Sequence, residues 1–541
     1  MNVLSVPSCP ALPIVRRWKL PFWFPCALLF LVLQLLSGTS PVYALLVFAL
    51  LAVSYYAILW AGGLGSLFGI AILYLLLQHV LVAQIAKVFL WEPADIYLRR
   101  PVETMGVYTV GMASLALGVL LSNHLRRRKG PLFAAETKPN RLLWMSLFCT
   151  IFYTLITLVT RTVGVDARTG GALEGGALGP LKQISFLGPL AIASGTAYMI
   201  KSSGGRRSIG LINAIPIMVQ TAFNVLNASR EGTVSPTIIF IVTCIAFRYR
   251  FRLKHYALLL IGAYIANYII FPYALLARSI VRTGSFETNV SRSVSMLGEL
   301  IQNPFKYRDQ VDNINSKHSW AGRLVYYSHS SATLDRYTLI TYCDGIVDAT
   351  ITRGETGWET IKPGFEASLP RFLNPDKPFV NTGNWLSHRE PGISPGKKDY
   401  TTGISTGFFP DAFSSFGWLG VSVIPCLIML CLMTLYRLLI NDRIWGNVLM
   451  LSLATDLPTI FSEGTVANLI TLCLTGAFAA GVGFSVLYVL VHAFDRLTDR
   501  LRNAWIAGIH PRRQALQRIM ATTPHTGKIL GITRGDQPGK V

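Results

Sequence analysis

Arg230 and Glu231 stand together in Asn227-Ala-Ser-Arg-Glu-Gly232, a tight turn between two apolar stretches. Arginine presents a planar fork of donors that matches phosphate or carboxylate oxygens, and close to a membrane such contacts are stronger than in water. A turn arginine also snorkels to lipid headgroups, so the pair reads either as an anion site or as an anchor. Arg278 and Arg282, in Leu275-Leu-Ala-Arg-Ser-Ile-Val-Arg282, are spaced i, i+4 and share one helical face. That face suits a diphosphate and equally an interfacial anchor. Asp456 and Glu463, in Leu451-Ser-Leu-Ala-Thr-Asp-Leu-Pro-Thr-Ile-Phe-Ser-Glu-Gly464, also share a face. A carboxylate among apolar residues is costly unless paired, so Asp456 is expected to meet an arginine, in a functional or a purely structural ion pair. Pro458 is expected to open the helix there. Arg371 and Lys377 lie in Pro370-Arg-Phe-Leu-Asn-Pro-Asp-Lys-Pro378, where prolines fix an ordered, non-helical path. His388 sits in Ser387-His-Arg-Glu390, as a solvated loop residue or a base. Asp411 precedes Phe413-Ser-Ser-Phe-Gly-Trp-Leu-Gly420, whose aromatics fit an interfacial belt or stacking on sugar rings.

The elements that hold these residues are set by composition. The 541-residue chain is 52% hydrophobic and only 14% charged, which would be hard to keep soluble as several globular domains. Runs of about 18 to 25 mostly apolar residues, enough to cross roughly 30 Å of hydrocarbon as helix, recur along it. They fall near 20–37, 42–60, 64–88, 105–122, 142–161, 184–200, 208–228, 233–247, 255–275, 414–436, 444–462 and 466–492. The expected fold is an all-α polytopic membrane protein of about 12 transmembrane helices with one large, partly helical exported loop between helices nine and ten. Its parts are a membrane domain at 1–275, the loop at 276–412, a second membrane segment at 413–492 and a basic tail at 493–541.

Charge orients the spans, because short cytoplasmic loops retain Lys and Arg. The loop holds 15 Lys/Arg against 14 Asp/Glu, and the rest of the chain 34 against 13. If the amino terminus is inside, 27 of those 34 basic residues fall on inside segments, notably 123–141, 201–207, 248–254 and the tail. Both termini are then cytoplasmic and the long loop is exported. Arginines flanking apolar spans face anionic lipid, so the basic balance does not ask for nucleic acid. The amino terminus reads as a retained anchor. Cys343 is the one cysteine in the loop, which excludes a disulfide within it, and no metal-ligand spacing appears. His79 beside Gln78 in the third span reads as a hydrogen-bonded packing residue. Small-residue patterns such as Gly65 to Gly69 read as close helix packing, and the two halves show no duplication.

With about a dozen helices, Ser229-Arg230 in a turn, a large exported loop late in the chain, the Pro370-Arg371 and Pro375-Asp-Lys-Pro378 elements and the Asp411 to Gly420 segment, the chain resembles bacterial O-antigen and exopolysaccharide polymerases of the Wzy type. Asp411 stands where that family is expected to have Glu. The resemblance implies a membrane glycosyltransferase that moves a growing chain from its polyprenyl diphosphate to a fresh lipid-linked repeat unit at the exported face of the inner membrane. It implies no cofactor or metal; its partners are the lipid-linked glycan, membrane lipids and a chain-length regulator. Arg230, Arg278, Arg282 and Arg371 would steady the departing diphosphate, with Lys377, Asp456 and His388 lining the substrate, and Asp411, Glu463 or Glu231 serving as base. An O-antigen ligase shares donor and topology. A flippase for the lipid-linked unit and a non-enzymatic scaffold are the readings from other classes.

Overall fold

The computed structural model describes residues 23–125, 130–134, 136, 138–162, 185–281, 286–303, 326–327, 338–369, 374, 381–389 and 404–522. Among the described residues it is helical throughout, with no β-strand beyond two isolated bridges. Seven helices among these residues are long and apolar enough to cross a membrane. The count of 12 is not reproduced: the described first, sixth, seventh and eighth segments are helices of 14, 16, 16 and 17 residues, and the eleventh is broken.

In chain order, α1 (Trp23–Leu36), α2 (Pro41–Trp60), α3 (Leu67–Phe89), α4 (Pro101–His124) and α5 (Pro139–Thr162) come first. They are followed by α6 (Leu187–Ser202), α7 (Leu211–Leu226) and α8 (Arg230–Ala246), then α9 (Leu253–Ile265) and α10 (Phe271–Val281), joined by a π-helical turn. The polar stretch contributes α11 (Phe286–Gln302), α12 (Leu339–Arg353), α13 (Lys362–Ser368) and α14 (Thr382–Arg389). The chain closes with α15 (Phe408–Leu439), α16 (Val448–Leu451), α17 (Asp456–Glu463), α18 (Val466–Thr471) and α19 (Ala477–Thr522). Long runs of Leu, Ile, Val and Ala with few breakers make these helices, and tertiary packing of their apolar sides holds them.

One compact unit runs through Leu487, and the remainder of α19 and the tail form a second. In the first unit α4 is the central helix, packed on α2 and α15, while α5, α6, α7 and α8 form a neighbouring group. The interhelical seams are close. Gly106 faces the Trp418 ring, Gly111 the Phe409 ring and Gly118 the backbone of Cys426. Within the second unit, Tyr488 stacks on His492 at 3.8 Å and Arg502 pairs with Asp499 at 2.9 Å.

The two ends of the first unit differ in chemistry. At one end Arg437 Nε donates to Asp442 (2.7 Å) and its Nη1 to Asn123 (2.7 Å), Arg141 pairs with Glu136, and the Lys201 ammonium lies 5.5 Å over the Phe247 ring. This end gathers the basic connections. At the other end α12 sits on the start of α4: the backbone N–H groups of Arg99 and Arg100 and the Thr104 hydroxyl all donate to Asp344, at 2.7, 2.9 and 3.0 Å. The polar stretch is therefore tied to the turn that leads into α4 and to its first turn.

Candidate functional site

Near the middle of α3 the helix widens into a π-turn, Leu77–Leu81, which turns Gln78 and His79 toward α17. Such insertions recur at functional positions. His79 Nε2 lies 2.8 Å from the Ser462 carbonyl, an acceptor only, so that nitrogen carries the proton. Nδ1 lies 2.8 Å from the Tyr108 hydroxyl, and a neutral ring accepts there. Gln78 Nε2 donates to Glu463 Oε1 (2.6 Å) while its Oε1 accepts from the Ser462 hydroxyl (2.6 Å), and the Ser405 hydroxyl donates to Glu463 Oε2 (3.0 Å). Glu463 ends α17, so the α17–α18 turn stops at mid-height of α3.

The space beyond that turn is filled from the polar stretch. Phe409 packs on Gly111, yet Trp418, nine residues later, packs on Gly106. Between them the chain climbs back along α4 by five residues, about 7.5 Å of helix rise. It reverses at Phe416 (φ −141°, ψ 33°) and Gly417 (φ 55°, ψ −139°), then descends to Cys426 beside Gly118. The left-handed φ at 417 is where a glycine is required. The first eight residues of α15 are thus the rising arm of a re-entrant hairpin, and they carry Asp411.

Asp411 is fully buried. Its Oδ2 accepts from the Val466 N–H at 2.7 Å, which caps α18 together with the Thr465 hydroxyl. A side-chain hydrogen bond from Thr360 also reaches the carboxyl group. The Thr360 and Ser415 hydroxyls close over the same arm, 2.8 Å from each other, and Ser415 Oγ donates back to the Asp411 carbonyl. On the far side of the turn Thr382 Oγ1 donates to Thr465 Oγ1 at 2.6 Å.

The arginine candidates belong to another part of the unit. Ser229 caps α8, accepting from Gly232 N–H at 3.1 Å, which sets Arg230 and Glu231 in the first turn. Ala228, at a left-handed φ of 49°, packs in one cluster with Tyr273, Ala277 and Leu300. Residues adjacent to Arg230 and to Arg278 are thereby brought together, although 48 positions separate the two arginines. Arg230 is half-buried and Glu231 exposed. Arg278 is described through its backbone on α10, and Arg282, Arg371 and Lys377 lie outside the described residues.

Three expectations are refined by geometry. Asp456 opens α17 instead of sitting mid-helix; its Oδ1 accepts from the Thr455 hydroxyl (3.1 Å), which accepts from Ser235 of α8 (3.1 Å), and no arginine pairs with it among the described residues. A carboxylate at a helix amino terminus is favoured by the helix dipole, which supplies part of what an ion pair would. Pro458 falls in the first turn of α17, where its missing N–H costs nothing, and the break precedes it at 452–455. His388 Nδ1 lies 2.8 Å from the Asn384 carbonyl on α14, one turn back.

Sequence reasoning passed over Lys87, Thr360, Ser405 and Thr406. Lys87 is wholly buried, bonded to Glu92 at 2.6 Å with its ammonium 4.3 and 4.9 Å from the rings of Tyr97 and Tyr326. A lysine at the end of an apolar span is a readable signal, with Glu92 close by in the chain; the Tyr326 ring, 239 positions on, is not. No family model matches this chain, and neither does any curated protein or solved structure. No group of three or more His, Cys, Asp or Glu side chains suited to a metal occurs among the described residues.

Proposed function

We propose that the chain is a membrane glycosyltransferase of the O-antigen and exopolysaccharide polymerase kind, acting on polyprenyl-diphosphate-linked repeat units at the exported face of a bacterial inner membrane. In this reading the chain crosses the bilayer about 12 times, with both termini inside and the loop outside. The observation that carries it is the convergence of Ala228 and Ala277, which brings the arginine-bearing start of α8 beside the arginine-bearing end of α10. A capped helix amino terminus with an arginine in its first turn suits phosphate oxygens through both backbone N–H groups and guanidinium.

The chemistry follows from charge. The bond between the donor sugar's C1 and its diphosphate oxygen breaks, the diphosphate keeps the electron pair, and the acceptor hydroxyl oxygen bonds to C1 while its proton passes to a carboxylate. Fixed guanidinium groups at the departing oxygen stabilise the transition state more than the ground state. Among the carboxylates Glu231, exposed beside Arg230, is the one in reach of a substrate at this turn, whereas Asp411 is enclosed.

Arg230→Ala and Arg278→Ala should each leave the protein inserted while lowering chain extension about 100-fold or more. Surface glycan from such strains should stop at one repeat unit. Long polymer at normal levels from both variants would refute the diphosphate clamp. A ligase would instead leave full-length chains unattached to any acceptor, which the same gel distinguishes.

A further inference from the structure

Trp358 is a large apolar side chain that the protein leaves uncovered. It lies in the polar stretch, in the short 3-10 turn Gly357–Glu359, and is 63% exposed. A single exposed apolar residue is ordinary on a surface that faces water, so its height in the fold is what gives it meaning. Its ring meets Phe416 edge-on, centroids 5.4 Å apart, at the reversal of α15. Two residues before it, the Thr356 N–H donates to the Ser414 carbonyl at 2.8 Å; two residues after it, the Thr360 hydroxyl lies 2.8 Å from that of Ser415. The segment 356–360 is thereby tied across the top of the re-entrant hairpin, and Trp358 is held level with the reversal that precedes Trp418.

The descending arm of α15 measures where that level falls. From Trp418 to Arg437, which bonds Asp442 and Asn123 at the basic end, the helix spans about 28 Å, close to the hydrocarbon thickness of a bilayer. Leu419, Val423 and Leu427 recur along it every four residues, on one side, and all are exposed. A row of exposed aliphatic side chains on a helix of that length fits lipid tails. Trp358 and the half-exposed Trp418 stand at the upper limit of the row. Charged groups gather at the same place: Arg353, Glu355 and Glu359 are exposed on either side of Trp358 in the chain, and the Arg389 guanidinium donates to the Gly354 carbonyl at 2.9 Å. An indole, apolar in its ring and polar at its N–H, suits the boundary between the two environments.

We propose that Trp358 seats the polar stretch on the bilayer, its ring among the phospholipid headgroups and upper acyl chains of the leaflet opposite the basic end. The segment 354–360 then rests on the membrane surface instead of standing off in the aqueous phase. The anchor is independent of the glycosyltransferase reading.

The test uses the full chain in phosphatidylcholine vesicles. In a variant with all eight native cysteines replaced, a nitroxide is attached at Trp358→Cys or, as an aqueous reference, at Thr352→Cys. Collision with oxygen, which concentrates in lipid, is compared with collision with a water-soluble nickel chelate. The oxygen-to-nickel ratio should be several-fold higher at 358 than at 352. In the otherwise native chain, the emission that Trp358→Phe removes should be strongly quenched in the parent by phosphatidylcholine brominated high on its acyl chains. Should the cysteine-replaced chain fail to fold, that fluorescence measurement decides. Equal ratios at 358 and 352 overturn the anchor, and so does an emission loss that brominated lipid leaves untouched. Low collision with both reagents overturns it too: protein then covers the ring, and dipolar broadening between labels would identify a second copy of the chain.

Discussion

His79 shows what a single residue can and cannot reveal. A histidine in an apolar span reads as a packing residue because both nitrogens need partners, and that much follows from chemistry alone. Its partners do not: the Ser462 carbonyl is 383 positions away, and nothing local in the chain points to it. The Tyr108 hydroxyl is a better probe than the ring itself, since Tyr108→Phe deletes one donor and leaves shape unchanged. That variant should lose about 1–3 kcal/mol, because a buried Nδ1 is left without a donor. Unfolding in a graded denaturing detergent series should show it, while a parental midpoint would mean that Nδ1 has another source of protons. Asp411 illustrates the opposite case. Its type and place marked it as a base, yet the sequence carries no sign that Val466, 55 residues on, would take one oxygen and that the other would be enclosed.

At the scale of elements, hydrophobic runs located most helices, and the errors lie where a run is apolar but not straight. Residues 444–462 are continuous in hydropathy, but they form α16, a turn and α17: the N–H groups of Leu453 and Ala454 bond three residues back, to Met450 and Leu451, and the Ser452 hydroxyl takes the Leu449 carbonyl. The reversal in α15 was likewise hidden, since Gly417 reads as any glycine within an apolar helix until its left-handed φ is seen. The join between α12 and α4 gives a pH-dependent prediction. Burial pushes the Asp344 carboxyl above its ordinary value, against the three hydrogen bonds it accepts. A carboxyl raised in the folded state contributes its full stability below its unfolded value, near 3.9, and loses it as pH rises through the folded value. Asp344→Asn is neutral at every pH. Relative to the parent it should therefore be most harmful near pH 4 and less so toward neutrality, and Tm measured across that range in both proteins checks the sign. A gap that widens toward neutral pH would show that the α4 amino terminus holds a carboxylate more tightly than its burial opposes it.

For the molecule as a whole, charge and geometry agree on two unlike ends. Arg437, Arg141 and Lys201 gather at one end, and Asp344, Thr356 and the rising arm of α15 at the other. Lys and Arg counts assigned the first to the cytoplasm because moving such charges across a bilayer is costly and lipid headgroups on that side are anionic. What the counts could not supply is which helices reach each end, since segments of 16 or 17 residues are short for a crossing and α17 ends at mid-height of α3. Two exposed positions separate the ends experimentally, Thr352 at the close of α12 and Arg206 just past α6. In a variant with all eight native cysteines replaced, a cysteine at each position reports its side through a membrane-impermeant maleimide. Thr352→Cys should label in intact spheroplasts, and Arg206→Cys only once the membrane is permeabilised. The reverse pattern would invert the orientation, and labelling of both in intact spheroplasts would mean that the basic end is not cytoplasmic and that an even number of crossings separates the two positions.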